Sequence, residues 1–242
     1  MSLETSPPRP VLARRSDGRV ALGLVGAEVI CLPSGALWLV ADGVLVVADL
    51  HLEKGSSYAR RGQLLPPYDT RETLDRLEAV TRAMAPRAVV LLGDTFHDVG
   101  AESRLHPDDH VRIGRLAAGR ALVWVTGNHD RAGPRLSPGE VVASLDFGRL
   151  RLTHEPATGH SPGEIAGHLH PCARVRASGG SVRRRCFVTD GERIILPAFG
   201  ALTGGLNVCD PAFAPLLRGN RLALVLGAAG VHPVGWSLLR GD

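Results

Sequence analysis

Five short stretches of the chain carry residue types that do chemistry. They are Asp49-Leu50-His51, Gly93-Asp94, Gly127-Asn128-His129-Asp130, an isolated His154, and Gly167-His168-Leu169-His170. Carboxylates, an amide and imidazoles, without a thiolate among them, are the ligand set of divalent first-row metals. Two such ions about 3.5–4 Å apart can generate hydroxide and clamp the oxygens of a phosphate, provided one carboxylate bridges them. Taken singly each stretch is ordinary: Asp-x-His is usually a surface loop, Gly-Asp a turn, and a lone histidine a hydrogen-bonded one. Gly-His-Leu-His is more specific, since two histidines at alternating spacing recur in metal sites. The inference rests on all five occurring in order, each placed where a strand ends.

The strands are read from short apolar runs bounded by turn signals. Ala36–Val40 and Val44–Ala48 flank Asp42-Gly43, a hairpin signal. Asp69 to Met84 spaces Leu74, Leu77 and Val80 three apart amid charge, as an amphipathic helix does, and Pro86 closes it. Ala88–Leu92 and Ala121–Thr126 are apolar runs of strand length, separated by a weaker helical pattern over His106 to Ala118. Later strands are expected at Leu150–Thr153, Arg185–Val188, Ile194–Leu196 and Leu222–Leu226. Val44–Ala48 runs into Asp49, Ala88–Leu92 into Gly93-Asp94, Ala121–Thr126 into Gly127-Asn128, and Leu150–Thr153 into His154. Polar residues delivered repeatedly at the carboxyl ends of buried strands mark the ligand edge of an α/β sheet. Asp49 and His51, two apart in an extended segment, should point to one side, and His168 and His170 likewise.

At 242 residues, with 44% hydrophobic residues and mean hydropathy +0.06, the chain can bury a full core. Aromatic residues are only 4%, so that core rests on Leu, Val, Ala and Ile. No apolar run approaches the roughly 18 residues of a membrane span. The start, rich in Pro, Ser and Arg, lacks the pattern of a secretory leader. Cytoplasmic residence is the expectation, with residues 1–19 a flexible lead-in and residues 20–242 one domain. Cys31, Cys172, Cys186 and Cys209 form no CxxC pair and read as reduced structural thiols. Net charge is +4 and Lys54 is the one lysine, so the basic balance permits nucleic acid as a partner without demanding it.

The set Asp49-x-His51, Gly93-Asp94, Gly127-Asn128-His129-Asp130, His154 and Gly167-His168-x-His170 resembles the calcineurin-type metallophosphoesterase signature. That resemblance implies two mixed β-sheets packed as a sandwich flanked by helices. It implies one metal on Asp49, His51, Asp94 and His170, and a second on Asp94, Asn128, His154 and His168, with Asp94 bridging. It implies that His129 contacts the phosphate and assists the leaving oxygen while a metal-bound hydroxide attacks in line. Many members carry Gly-Asp-x-x-Asp, whose last Asp orients the histidine. Here His97 stands in that place with Asp98 after it, and either is a candidate support for His129.

A closer resemblance spans Pro33–Trp38, Ala48–Gly55, Leu65–Asp69, Leu91–Asp98, Ile165–Pro171 and Leu196–Leu206. It is to the bacterial ligase-associated DNA-damage-response phosphoesterases, grouped with a DNA ligase, a helicase and an exonuclease and regarded as endonucleases or phosphodiesterases. This implies a manganese-dependent nuclease (iron and zinc also suit the ligands) that hydrolyses DNA in repair. Two alternatives stand beside it: a phosphodiesterase or phosphatase for a small nucleotide or phosphoprotein, and a non-catalytic scaffold of the same fold. The scaffold reading sits poorly with a full set of ligands and His129. Candidate contacts to a phosphate backbone are Lys54, Arg60 and Arg61 after the first motif, and Arg183, Arg184 and Arg185 near Arg174 and Arg176. A solvated basic face is the ordinary alternative for both groups.

Overall fold

The computed structural model describes residues 10–177 and 179–242. Its centre is two mixed sheets lying face to face. The first runs in the order β1 to β8: β1 (Leu12–Arg14), β2 (Val20–Leu24), β3 (Ala27–Cys31), β4 (Leu37–Leu39), β5 (Val44–Val47), β6 (Ala88–Leu92), β7 (Ala121–Val125) and β8 (Glu140–Val142). Strands β1 to β5 pair antiparallel and β5 to β8 parallel. The second sheet is built from β9 (Ser144–Phe147), β10 (Leu150–Thr153), β11 (Glu164–Ala166), β12 (Pro171–Ala177), β13 (Gly180–Thr189), β14 (Ile194–Ile195), β15 (Leu206–Asn207), β16 (Leu222–Leu226), β17 (Val231–Gly235) and β18 (Leu239–Arg240). Helices α2 (Asp69–Met84) and α3 (Pro107–Leu116) cover the outer face of the first sheet, and α1 (Lys54–Ala59) follows the first motif.

The parallel strands are apolar on both faces because both are covered. Val46, Val90, Leu92, Val123 and Val125 meet Leu152, Ile165, Phe187 and Leu224 of the second sheet. Their neighbours Leu45, Val47, Val89, Leu91, Leu122 and Trp124 meet Leu74, Leu77, Ile113 and Leu116 of the helices. The outer face of the second sheet is covered by the Val208–Leu217 segment, which holds one 3₁₀ turn at Pro211–Phe213 and no α-helix.

Helix α2 has the expected bounds, with Asp69 and Glu72 in its first turn and Ala85 closing it in left-handed geometry before Pro86. In α3, His106 Nδ1 accepts from the Asp108 amide and Pro107 takes the first helical position. Two departures from the sequence reading enlarge the sheets. Within the stretch expected as a lead-in, Leu12–Arg14 is an edge strand on β2, while residues 1–9 lie outside the described ones. The strand expected at Arg185–Val188 extends back to Gly180, its polar half pairing with β12. Among the described residues, no helix is long and apolar enough to cross a membrane.

Candidate metal centre

All five motifs converge at the carboxyl ends of β5, β6, β7, β10 and β11. The loops after β5 and β6 keep hydrogen-bonding beyond their strands: Asp49 N–H to Gly93 O (3.2 Å), His51 N–H to Asp94 O (2.9 Å), and Leu52 N–H to Thr95 O (2.8 Å). Gly167 N–H donates to His154 O at 3.0 Å, which joins the fourth and fifth motifs. Asp130, to which sequence reasoning gave no role, ties the third to the second. Its buried carboxylate accepts from the amides of Thr95 (2.8 Å), Phe96 (3.2 Å) and Gly127 (2.9 Å). Close packing explains two of the glycines. A Cβ on Gly93, whose φ is +75°, would overlap the His154 ring, and one on Gly127 would overlap Asp94.

The spacing rule expected for Asp-x-His and His-x-His does not hold, although the residues do converge. Asp49, His51, Asp94, His168 and His170 have φ of +55°, +47°, +45°, +70° and +47°. Left-handed backbone, not alternation along a strand, aims these side chains inward. Such residues cost of order 1–3 kcal/mol each and gather where function requires them.

Two ligand groups result. In one, His170 Nε2 lies 3.2 Å from Asp49 Oδ1 and 3.3 Å from His51 Nε2. In the other, His168 Nδ1 lies 2.9 Å from Asn128 Oδ1 and 3.3 Å from His154 Nε2, which is itself 3.0 Å from Asn128 Oδ1. Asp94 Oδ2 stands between them, 3.8 Å from His51 Nε2 and 3.3 Å from His154 Nε2. Asp49, His51, Asp94 and His154 are all buried.

The donor chemistry fits cations here. Two imidazoles engage one nitrogen outside the cluster and turn the other into it: His154 Nδ1 to Leu92 O (3.2 Å), and His51 Nδ1 to His97 Nδ1 (3.4 Å). That outer contact is how metal-bound histidines are oriented. The inward nitrogens then lie 3.3 Å apart in both groups, close enough to bind one shared cation. Burial pushes the His154 imidazole down, but its bond to Asp94 and the charges of Asp49 and Asp94 raise it to about 9. Burial also raises Asp94, but its bond to His154 and the His154 charge, with the His129 amide and the His51 charge, together hold the carboxyl below its ordinary range. His51 is pushed the other way, kept neutral by burial and by His170.

His129 stands at the mouth. Its amide donates to Asp94 Oδ1 (2.9 Å), its Nδ1 lies 2.7 Å from the backbone carbonyl of His97, and its Nε2 is 4.0 Å from Asp94 Oδ2. The His97 ring instead faces His51, and burial followed by the Lys54 charge pushes it to about 4, so it is neutral at pH 7. The Asp98 carboxylate turns away from His129 and takes both arms of Arg104, at 2.9 and 2.8 Å.

The two basic groups differ. Arg60 and Arg61 are exposed and, with Ser57 and Asp98, line a cavity of about 330 Å³. Lys54 lies beside Tyr58, 6.0 Å from its ring centre. In the second group, Arg185 donates to the carbonyls of Ala198 (3.1 Å) and Ala201 (3.2 Å), and Arg183 to that of Gly205 (2.5 Å). Those two hold the loop whose Phe199 and Gly200 amides bond the carbonyls of Ala48 and Asp49. Arg184 is exposed and, among the described residues, donates only to the Arg183 carbonyl.

Two mixed sheets with a carboxylate, amide and imidazole cluster at their shared edge define a metal-dependent phosphoesterase. The calcineurin-like phosphoesterase model matches residues 43–180, more than half of the chain, and the chain belongs to that family. Among solved structures it is similar to a Pseudomonas putida nuclease, MPE, at 25% identity and a TM-score of 0.66, covering 88% of this chain and 98% of that one. It also matches Yfce, a phosphoesterase from E. coli, at 14% identity and a TM-score of 0.40, covering 79% of this chain and 98% of that one. A comparison with curated proteins gives no match.

Proposed function

We propose that this chain is a two-metal phosphodiesterase that cleaves DNA internally, with manganese as its metal. The observation that carries the reading is Asp94, whose carboxylate lies between two complete ligand groups with His129 beside it. Asp49, His51, Asp94 and His170 would hold one ion, and Asp94, Asn128, His154 and His168 the other. When bound, such a pair lowers the pKa of water and neutralises phosphate oxygens.

The remaining roles belong to the chain itself. His97 positions two groups, His129 through its carbonyl and His51 through its ring. With Nδ1–H held by that carbonyl, a protonated His129 presents Nε2–H on the Asp94 side, to steady the phosphate and hand a proton to the leaving oxygen. Lys54, Arg60 and Arg61 would carry the neighbouring backbone phosphates, with Arg184 as an outlying contact. Arg183 and Arg185 support the Ala198–Gly205 loop instead. The nuclease relative and this basic side of the mouth support DNA as substrate. Work in the cytoplasm, beside a ligase, helicase and exonuclease and as one domain that includes the edge strand Leu12–Arg14, completes the proposal.

The test is manganese-dependent hydrolysis of bis(p-nitrophenyl) phosphate beside single-stranded DNA, with His129→Ala and Asp94→Asn as controls. Turnover of both substrates is expected; in His129→Ala, DNA cleavage should fall about 10²–10⁴-fold because its alkoxide leaving group needs a proton, and hydrolysis of the activated aryl diester should fall much less. Cleavage of the small diester alone, with no salt-dependent DNA binding, would move the assignment to a small-nucleotide phosphodiesterase.

A further inference from the structure

A second concentration of positive charge lies at the far end of the first sheet from the metal centre. Helices α2 and α3 run back against their parallel strands, so both end where β6 and β7 begin, a strand's length from Asp94 and Asn128. There a cavity of about 290 Å³ is lined by Glu78, Thr81 and Arg82 of α2, Arg115 and Leu116 of α3, and Arg120, which leads into β7. Small-ligand pockets begin at about 300 Å³. The charges around this one do not balance. Glu78, its one acidic side chain, has both oxygens bonded by Arg112, at 2.8 and 3.1 Å. Among the described residues, Arg82, Arg115 and Arg120 have no carboxylate within ion-pair reach. The two helix ends carry roughly half a negative charge each, enough to answer one guanidinium of the three. Two buried groups also lack a partner among the described residues: the hydroxyl of Thr81, a residue only 3% exposed, and Nε of Arg120. Native structures seldom leave such groups unsatisfied.

We infer that Thr81, Arg82, Arg115 and Arg120 form a second phosphate-binding site, separate from the metal centre and without part in its chemistry. A phosphate group brings the negative charge and the acceptor oxygens that this cavity lacks, and guanidinium forks match those oxygens in pairs. Arg82 and Arg115 come from the last turns of two different helices and Arg120 from the loop behind them, so the site exists only where α2, α3 and β7 meet. The phosphate is that of a free phosphate ester or of a nucleic acid strand passing this face, since both present the same anionic oxygens.

Titration calorimetry of inorganic phosphate into the manganese-loaded full chain tests this, with the wild type set beside Arg120→Gln and the double variant Arg82→Gln, Arg115→Gln. The wild type is expected to bind one phosphate here besides any held by the metals. Each variant should bind that one roughly 10–150-fold more weakly, the loss expected for a hydrogen bond to a charged group. Turnover of bis(p-nitrophenyl) phosphate should be unchanged in both variants. The KM for single-stranded DNA then separates the two sources of phosphate. A rise in the variants, with a shallower salt dependence, assigns the site to a DNA strand, and an unchanged value assigns it to a free phosphate ester. Phosphate binding that is the same in the wild type and both variants overturns the inference. A fall in diester turnover together with the lost phosphate also overturns it, by placing that phosphate at the metals. Phosphate binding is read whether or not the protein turns over a diester, so the phosphodiesterase reading can fail alone.

Discussion

Left-handed backbone is unfavourable for any residue with a Cβ, yet five of the expected ligands adopt it. Their identities were legible in the sequence because Asp, Asn and His announce their chemistry. Their conformation was not, since no residue type in Asp49-Leu50-His51 signals a positive φ, and strand alternation gave the right convergence for the wrong reason. The role of His97 was half legible. Its position after Gly93-Asp94 marked it as support for His129, but the contact is made by a backbone carbonyl, which any residue would offer. What is particular to histidine there is the ring nitrogen 3.4 Å from His51 Nδ1. His97→Phe keeps an aromatic ring and removes that nitrogen. Manganese affinity, measured by competition with a chromophoric chelator, should weaken by about 10–100-fold, the range for losing an outer partner of a metal-bound histidine. Unchanged affinity would show that the ring contact orients nothing.

Elements with strong periodicity were read with their bounds, as α2, β6 and β10 show, because an apolar stripe in the chain is an apolar face in the fold. Helix α1 was missed, since Lys54-Gly55-Ser56-Ser57-Tyr58-Ala59 has no apolar repeat and is held by Asp69 Oδ2 accepting from the Gly55 amide. Equally invisible was the buried pair Arg193–Glu164, at 2.8 Å, which joins residues far apart in the chain. Arg193 also donates to the carbonyls of Ala157, Gly159 and Leu216, and so pins the loop that follows the His154 strand. Arg193→Met should cost about 3–5 kcal/mol by leaving Glu164 buried and charged without its cation, although the Ala157 amide still bonds it. Denaturant unfolding checks this, and a loss under 1 kcal/mol would contradict it. The loop after β6 gives a pH signature. Arg104 holds the Asp98 carboxyl below its ordinary 3.8, so its folded form is the weaker acid-binder. A depressed carboxylate stabilises the fold above its unfolded value and loses that contribution as pH falls toward its folded one. The stability gap between wild type and Asp98→Asn should therefore be constant from neutral pH to about 5 and narrow below 3.8. A gap that widened on acidification would refute the pairing.

Over the whole molecule, each ligand group draws on both sheets. Asp49 and His51 leave the first sheet and His170 the second, while Asp94 and Asn128 leave the first and His154 and His168 the second. Metals held there would cross-link the two layers, so binding is linked to folding. At manganese concentrations 100 times Kd, about 2.7 kcal/mol of stability is expected from one ion, and it should vanish with a chelator. A Tm indifferent to metal would contradict that linkage.

The most direct measurement is the manganese content of the chelator-stripped and reloaded protein, counted by elemental analysis and followed by titration calorimetry, for the wild type and Asp94→Asn. The account predicts two ions per chain in the wild type, with both bound more weakly in the variant, because one carboxylate serves both groups. A single ion per chain, or undiminished binding of two ions in Asp94→Asn, would contradict it.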